Sequence, residues 1–131
     1  MRTPMNKDRS QITELGQYGE GVACNYLINK GYQIEGRNIN YKNGEIDIVA
    51  KKGESLHFVE VKTRKKSSFM KPFEAINYFK VRKIKVAAKM YLSDRKYGYA
   101  GRDYPECHFD VISIEILDDS YNLEFIEDAF E

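Results

Sequence analysis

The sequence predicts one α/β domain with a mixed central sheet of about five strands flanked by helices, in the order α-β-β-β-α-β-β. A length of 131 residues suits a single domain, expected to cover residues 1–131 with 1–8 flexible. An apolar content of 42% and a charged content of 31% are typical of globular chains. Segments of helical and strand periodicity alternate along the chain without an internal repeat or linker. No apolar run approaches the roughly 18 residues of a membrane span, so no membrane segment is predicted.

The first predicted element is a helix over about residues 9–30, where apolar residues recur at helical spacing. Gly31 stands where a C-terminal stop is expected. Gly16, Gly19 and Gly21 lie inside this helix, where each costs roughly 1 kcal/mol relative to alanine. They indicate close approach by another backbone or by a ligand, or ordinary packing of the helix on the sheet.

Three strands are predicted next, over about residues 32–41, 44–51 and 56–63, with a turn containing glycine at 52–55. Alternation along the second and third strands assigns their side chains to two faces. In the second strand, one face is predicted to hold Ile46, Ile48 and Ala50, and the other Glu45, Asp47 and Val49. In the third strand, one face is predicted to hold Leu56, Phe58, Glu60 and Lys62, and the other His57, Val59, Val61 and Thr63.

A basic loop over 64–71 separates these strands from a long helix predicted over about 72–94. Pro72 fits the first turn of that helix. Its predicted apolar stripe contains Ile76, Phe79, Ile84, Ala87, Ala88, Tyr91 and Leu92. Two further strands are predicted over about 108–117 and from residue 122 onward.

The hairpin is unusual because it carries two acids and a lysine on one predicted face. A four-residue turn makes Asp47 oppose Glu60, with Cβ atoms ~5 Å apart. Like charges placed there repel unless a proton or a cation lies between them, and Mg²⁺ or Mn²⁺ prefers such oxygen ligands. Lys62, about 6.5 Å farther along the strand, would contact a water or a substrate phosphate there. The alternative is an exposed strand face on which Lys62 forms salt bridges with the acids.

Charge is distributed unevenly, although the formal net charge is only +1. Twelve Lys and Arg side chains lie within residues 62–96 with only two acids, whereas residues 106–131 contain nine acids and no Lys or Arg. The middle of the chain is therefore a candidate polyanion-binding surface, or else a solvated helix face balanced by an acidic tail. Cys24 and Cys107 lie far apart and indicate reduced thiols in a cytoplasmic protein.

A family resemblance emerges from these residues. The spacing GEID-x12-EVK resembles the PD-(D/E)xK nuclease superfamily, in which an acid on one strand precedes E-x-K on the next. More closely, GQYGEGVACNYLINKGYQI, RNINYKNGEIDIVA, FVEVKTR, KVRKIKVAAKMYL and FDVISI resemble the bacterial YraN family, in order, over nearly the whole chain after residue 15. That family is similar in turn to archaeal Holliday-junction resolvases, so the resemblance implies a restriction-endonuclease-like fold.

The resemblance also implies roles for individual residues. Asp47 and Glu60 match the two motif acids, and Lys62 matches the catalytic lysine. Glu20 matches an acid that resolvase-like members carry on the first helix, so Glu20, Asp47 and Glu60 would bind Mg²⁺ or Mn²⁺. Glu45 is expected to be peripheral. His108 stands where many relatives have arginine, and we give it little catalytic weight.

The expected function is a metal-dependent, structure-selective nuclease that acts on nucleic-acid phosphodiester bonds; DNA is the expected partner, and junction or branched DNA is one candidate substrate that the sequence does not single out. Phosphate contacts are expected from Arg64, Lys65, Lys66, Lys80, Arg82 and Lys83. Two alternatives remain open. One is a nucleic-acid-binding module without catalysis, and the other is a scaffold for a protein partner, with the acidic C-terminal strand as a possible homodimer seam.

Overall fold

The computed structural model describes residues 4–66, 78–101, 103 and 105–130, with side chains described from residue 14 onward. Two helices and five strands follow one another in the predicted order α-β-β-β-α-β-β, which is consistent with a nuclease-like fold. A short 3-10 helix, Arg95–Tyr97, lies between the second helix and the fourth strand. The main elements are α1 (Pro4–Asn29), β1 (Gln33–Tyr41), β2 (Gly44–Lys52), β3 (Ser55–Lys65), α2 (Tyr78–Ser93), β4 (Glu106–Ile116) and β5 (Tyr121–Ile126).

The five strands form one mixed sheet in the spatial order β1-β2-β3-β4-β5. β3 and β4 run parallel, whereas the other neighbouring strands are antiparallel. Because parallel neighbours need a crossover connection, the chain passes through α2 between β3 and β4. The helices cover opposite faces of the sheet, so the predicted mixed sheet flanked by helices is confirmed.

α1 ends where the sequence predicts and starts earlier. Gly31 adopts a positive φ of 93° just beyond the helix, and the Tyr32 N–H donates to the Leu27 carbonyl at 3.0 Å. This left-handed glycine closes the helix end. At the other end the helix begins at Pro4 rather than near residue 9, and proline suits the first helical turn.

Two cores lie on the two faces of the sheet. The α2-side core includes Leu56 and Phe58 of β3, whereas the α1-side core includes Val59. The predicted alternation of β3 is therefore confirmed. No helix in the described part of the chain is long and apolar enough to cross a membrane.

The prediction that Ile46 shares a face with Ile48 and Ala50 is wrong. Ile46 packs in the α2-side core with Val49, while Ile48 and Ala50 belong to the α1-side core. The side-chain alternation of β2 therefore slips by one residue at Asp47. The slip lies opposite Asn38, which has a φ of 51° and interrupts the regular geometry of β1.

α2 packs its apolar stripe on β2. Its buried residues are those predicted from Ile84 to Leu92, but Phe79 is 74% exposed and does not belong to the core. Phe79 lies in the first turn of the helix, before the stripe that contacts the sheet begins. The predicted start at Pro72 and the stripe residue Ile76 lie outside the described residues. A Cβ on Gly44 would lie 2.7 Å from both the Ala87 nitrogen and the Lys83 oxygen, so only glycine allows β2 this close to α2.

Candidate functional site

The predicted hairpin register brings Asp47 and Glu60 together. Val49 pairs with Phe58 as predicted, and the regular β2–β3 pairing ends at Ile48 and Val59. Beyond that point the Val61 N–H donates to Asp47 Oδ2 at 2.9 Å, so a carboxylate takes the place of a backbone partner. We call this place the β2–β3 fork. The Asp47 carboxyl there lies within hydrogen-bonding range of the Glu60 carboxyl.

Glu60 is a buried acid whose charge is poorly compensated. It is only 3% exposed, and its Oε2 atom has no hydrogen-bond partner among the described residues. Burial and the neighbouring Asp47 carboxyl raise the pKa of Glu60, while Lys80 and Lys62 oppose that rise. The two acids therefore favour a shared proton or an added cation, as predicted from their opposed positions.

Lys80 belongs to this acid cluster. Its Nζ atom lies 2.5 Å from Glu45 Oε1 and 3.3 Å from Glu60 Oε2, the latter within ion-pair range but without hydrogen-bond geometry. Burial lowers the pKa of Lys80, but the carboxylates of Glu60, Glu45 and Asp47 outweigh burial and raise the pKa overall. Lys80 therefore stays charged, and Glu60 is the group whose raised pKa favours a bound proton.

Lys80 also donates a hydrogen bond to Glu45 and so joins to the site a residue that is expected from the sequence to be peripheral. The hydrogen bond from Lys80 lowers the pKa of Glu45 despite its partial burial, so Glu45 is ionised at neutral pH. Lys62 is half-buried on β3, and its charge acts on both Glu45 and Glu60. Two lysines and three acids thus share the α2-facing side of the fork.

Glu20 approaches the fork from the other face of the sheet. It lies on α1, where its neighbours include Asp47, Arg37 and Asn38, and its Oε1 atom is buried without a hydrogen-bond partner among the described residues. Burial, followed by the Asp47 charge, raises the pKa of Glu20. Within the described residues no three His, Cys, Asp or Glu side chains are grouped closely enough to hold a metal. The three-carboxylate metal set therefore stays a prediction, built around an Asp47–Glu60 pair with Glu20 across the sheet.

Gly19 positions Glu20 by allowing α1 close to β3. A Cβ on Gly19 would lie 1.8 Å from Thr63 Oγ1, whereas a Cβ on Gly16 or Gly21 would meet no atom within 4 Å. The sequence leaves open whether these glycines mark a close approach or ordinary packing of the helix on the sheet, and the close approach applies to Gly19. The other two carry the cost of helical glycine without a contact that explains them.

Alanine substitutions on either side of Glu20 should therefore have opposite effects on stability. We expect Gly19→Ala to destabilise the fold by about 1–3 kcal/mol, because the helix or Thr63 must move. Gly21→Ala should stabilise it by up to about 1 kcal/mol, because alanine is the better helix former. Urea unfolding of both variants measures the difference, and equal effects would contradict the close approach at Gly19.

Sequence reasoning missed two contributions to the site. Asn38 lies beside Glu20 and opposes the rise in the pKa of its carboxyl group, and it adopts a left-handed backbone conformation that asparagine tolerates better than most residues. Nothing in the pattern of β1 distinguishes this asparagine from its neighbours. Lys80 was recognised as a basic residue, but its contact with the acids depends on where α2 crosses the sheet.

The remaining basic residues predicted to contact phosphate lie in different surroundings. Arg64 donates to Glu115 at 3.1 Å on the neighbouring strand. Lys65 and Lys66 are exposed at the end of β3, and Arg82 and Lys83 are exposed on α2. The α2 pair lies in the same helix as Lys80 and is therefore best placed near the acid cluster.

A second polar cluster surrounds His57 on the α1 face. Its Nδ1 atom lies 2.6 Å from Asp110 Oδ2, and both residues are buried. The His108 ring stacks on His57 with centroids 4.6 Å apart, and its two nitrogens contact Glu106 and Asp128. His108 thus belongs to this cluster, which ties the start of β4 to β3 and to the chain after β5.

Fold and site together define a mixed α/β protein of nuclease-like element order, in which a buried glutamate meets a half-buried aspartate at the fork between two central strands. Residues 19–114 match the sequence profile of the uncharacterised protein family UPF0102. The chain belongs to the UPF0102 family, which confirms the predicted resemblance to YraN proteins.

Individual relatives align over most of their length. A UPF0102 protein of Syntrophomonas wolfei is 41% identical over 117 residues, covering 89% of this chain and 97% of the relative. One from Clostridium perfringens is 44% identical over 119 residues, covering 88% and 93%. One from Clostridium tetani is 40% identical over 129 residues, covering 97% and 99%.

Proposed function

We propose that this protein is a divalent-metal-dependent nuclease of the PD-(D/E)xK type. The observation that carries the proposal is the Asp47–Glu60 pair, in which a half-buried and a buried carboxyl group meet beside Lys62 and Lys80. Neighbouring acids that repel one another where one of them is buried destabilise a fold, so their presence beside two lysines indicates a functional role.

The chemistry of the donor set fits Mg²⁺ or Mn²⁺. Oxygen ligands are what these hard cations prefer, and Glu60 Oε2 and Glu20 Oε1 are both buried without hydrogen-bond partners among the described residues. Asp47 and Glu60 would hold the ion, with Glu20 contributing from the α1 side. A bound divalent ion supplies a nucleophilic water at neutral pH and charge stabilisation for the leaving oxygen.

The protein's own residues supply position and charge. The Val61 N–H fixes the Asp47 carboxylate, and burial keeps bulk water away from Glu60. Lys62 and Lys80 place positive charge where the phosphate accumulates negative charge in the transition state. Arg82 and Lys83 would contact neighbouring phosphates, which position a substrate without reading its sequence. The resemblance to junction resolvases favours DNA, including branched DNA, over RNA.

Cleavage of labelled DNA tests the proposal. We expect cleavage of single-stranded, duplex or branched substrates to require Mg²⁺ or Mn²⁺, and Asp47→Ala to reduce it at least about a hundredfold. The matched control is Asp119→Ala, an exposed acid between β4 and β5, which should cleave as the unmodified protein does. Lys62→Ala should lose cleavage but still bind DNA.

Two other outcomes would redirect the assignment. DNA affinity that falls with salt and is unaffected by Asp47→Ala, without cleavage, would indicate a nucleic-acid-binding module. Absence of salt-dependent binding would indicate a protein scaffold. The salt dependence is informative because phosphate contacts release counterions.

A further inference from the structure

A groove lies beside the acid cluster, and it is lined in part by Arg82 and Lys83, which were proposed above to contact phosphates. It lies between the β1–β2 turn and the first half of α2, and it encloses about 710 Å³. Its walls are formed by residues 40–45 on one side and by Phe79, Arg82, Lys83 and Val86 on the other. We call it the α2 groove. Glu45 lines it and also holds Lys80, which contacts Glu60, so the groove opens directly beside the fork.

The α2 groove combines positive charge with an exposed aromatic ring. Lys42, Arg82 and Lys83 are exposed cations in its walls, whereas the acid that lines it, Glu45, is paired with Lys80. Phe79 is 74% exposed, and the adjacent Tyr78, 69% exposed, meets it edge-to-face with centroids 5.9 Å apart. Cations beside an exposed ring are the arrangement with which proteins bind unpaired nucleotides, because the ring stacks on a base while the cations contact phosphates.

We propose that the α2 groove binds an unpaired nucleotide next to the phosphodiester bond held at the fork. The base would stack on Phe79, and Arg82 and Lys83 would contact the flanking phosphates. The amides of Asn40 and Asn43 lie in the same walls and can hydrogen-bond a base edge. This inference rests on the proposed nuclease function for its place beside the acids. It adds the substrate class, which is nucleic acid with a single-stranded or locally unpaired segment.

A base paired within a duplex is stacked between its neighbours and cannot offer its face to Phe79. The volume of the α2 groove lies within the roughly 300–1,000 Å³ of small-ligand sites, which suits a nucleotide. The groove therefore distinguishes unpaired from paired nucleic acid by stacking, while its cations attract both.

The sequence offers a direct probe, because the chain contains no tryptophan. Phe79→Trp places a single tryptophan in the groove, and we expect an oligothymidylate to quench its fluorescence in EDTA, where cleavage does not occur. A blunt duplex should quench it much less. Phe79→Ala should weaken binding of the oligothymidylate about tenfold while leaving duplex affinity within about twofold.

Two controls separate stacking from charge. Tyr121→Ala removes an exposed ring on β5, outside the groove, and should leave affinity for both nucleic acids unchanged. Arg82→Gln combined with Lys83→Gln should weaken binding of both and reduce the salt dependence of the affinity.

The outcomes are distinct for the two proposals. If Phe79→Ala binds the oligothymidylate as tightly as the unmodified protein, or loses duplex binding equally, the groove proposal is wrong even if DNA is cleaved. If Phe79→Ala selectively loses single-strand binding but no metal supports cleavage, the groove proposal holds and the nuclease proposal fails.

Discussion

Replacing Glu60 with glutamine is expected to stabilise the metal-free protein at pH 8 while reducing metal-dependent cleavage at least about a hundredfold. Glutamine keeps the volume of the buried side chain but removes the charge that burial and Asp47 disfavour. Lys80 would keep its bond to Glu45, so the substitution leaves no buried ammonium without a partner. Stability and activity should therefore change in opposite directions, as is common where function requires an unfavourable charge.

The raised pKa of Glu60 also determines whether the free energy of unfolding rises or falls with pH. The pKa of Glu60 is raised in the folded protein above its ordinary value of 4.5, so the folded state binds more protons than the unfolded state above that pH. The stabilisation from protonated Glu60 is complete below about pH 4.5 and is lost as the pH rises toward the folded pKa. Each unit of difference in pKa corresponds to about 1.4 kcal/mol of unfolding free energy.

Urea unfolding in EDTA, repeated between pH 5 and pH 8, measures both effects. The unmodified protein should lose stability over this interval, and Glu60→Gln should lose at least about 1 kcal/mol less. Glu54→Gln, an exposed acid in the β2–β3 turn, is the matched control and should follow the unmodified protein. If Glu60→Gln were less stable than the unmodified protein at pH 8, Glu60 would be a well-compensated anion and the argument from repulsion would be wrong.

The fork was predictable because it follows from local rules. A strand alternates with a period of two, and a four-residue turn fixes which residues oppose one another across a hairpin. These two facts predict that Asp47 meets Glu60, and the observed pairing of Val49 with Phe58 confirms the register. The same alternation predicts that Glu60 shares the face of Leu56 and Phe58.

The parts that were not predictable depend on geometry between distant elements. Ile46 changes face where Asn38, on the neighbouring strand, adopts a left-handed conformation. Phe79 has a large apolar side chain that is typical of a core, but it lies before the part of α2 that contacts the sheet. Lys80 reads from sequence as one of many basic residues, and its contact with Glu60 depends on the crossing of α2 over β2 and β3. Gly44 permits that crossing, because the backbone of α2 leaves no room for a Cβ at this position of β2.

Lys80→Met provides the second large effect, because Lys80 is the lysine that forms ion pairs with Glu45 and Glu60. Removing one partner from a largely buried ion pair leaves uncompensated charge, here on Glu45, Asp47 and Glu60. We expect Lys80→Met to lower the free energy of unfolding by about 2 kcal/mol in EDTA at neutral pH, a value below that of fully buried pairs because Glu60 can take up a proton. Thermal unfolding monitored by circular dichroism measures the loss.

A divalent cation should then replace the missing charge. Mn²⁺ should raise the melting temperature of Lys80→Met more than that of the unmodified protein, because the ion no longer competes with an ammonium 3.3 Å from Glu60 Oε2. Titration calorimetry should show tighter Mn²⁺ binding by Lys80→Met, whereas Lys89→Met, an exposed lysine on the same helix, should change neither property. Equal stabilisation of Lys80→Met and the unmodified protein by Mn²⁺ would mean that the ion and the lysine do not act on the same carboxylates. The Asp47–Glu60 pair would then need no positive charge beyond that of Lys80 on α2.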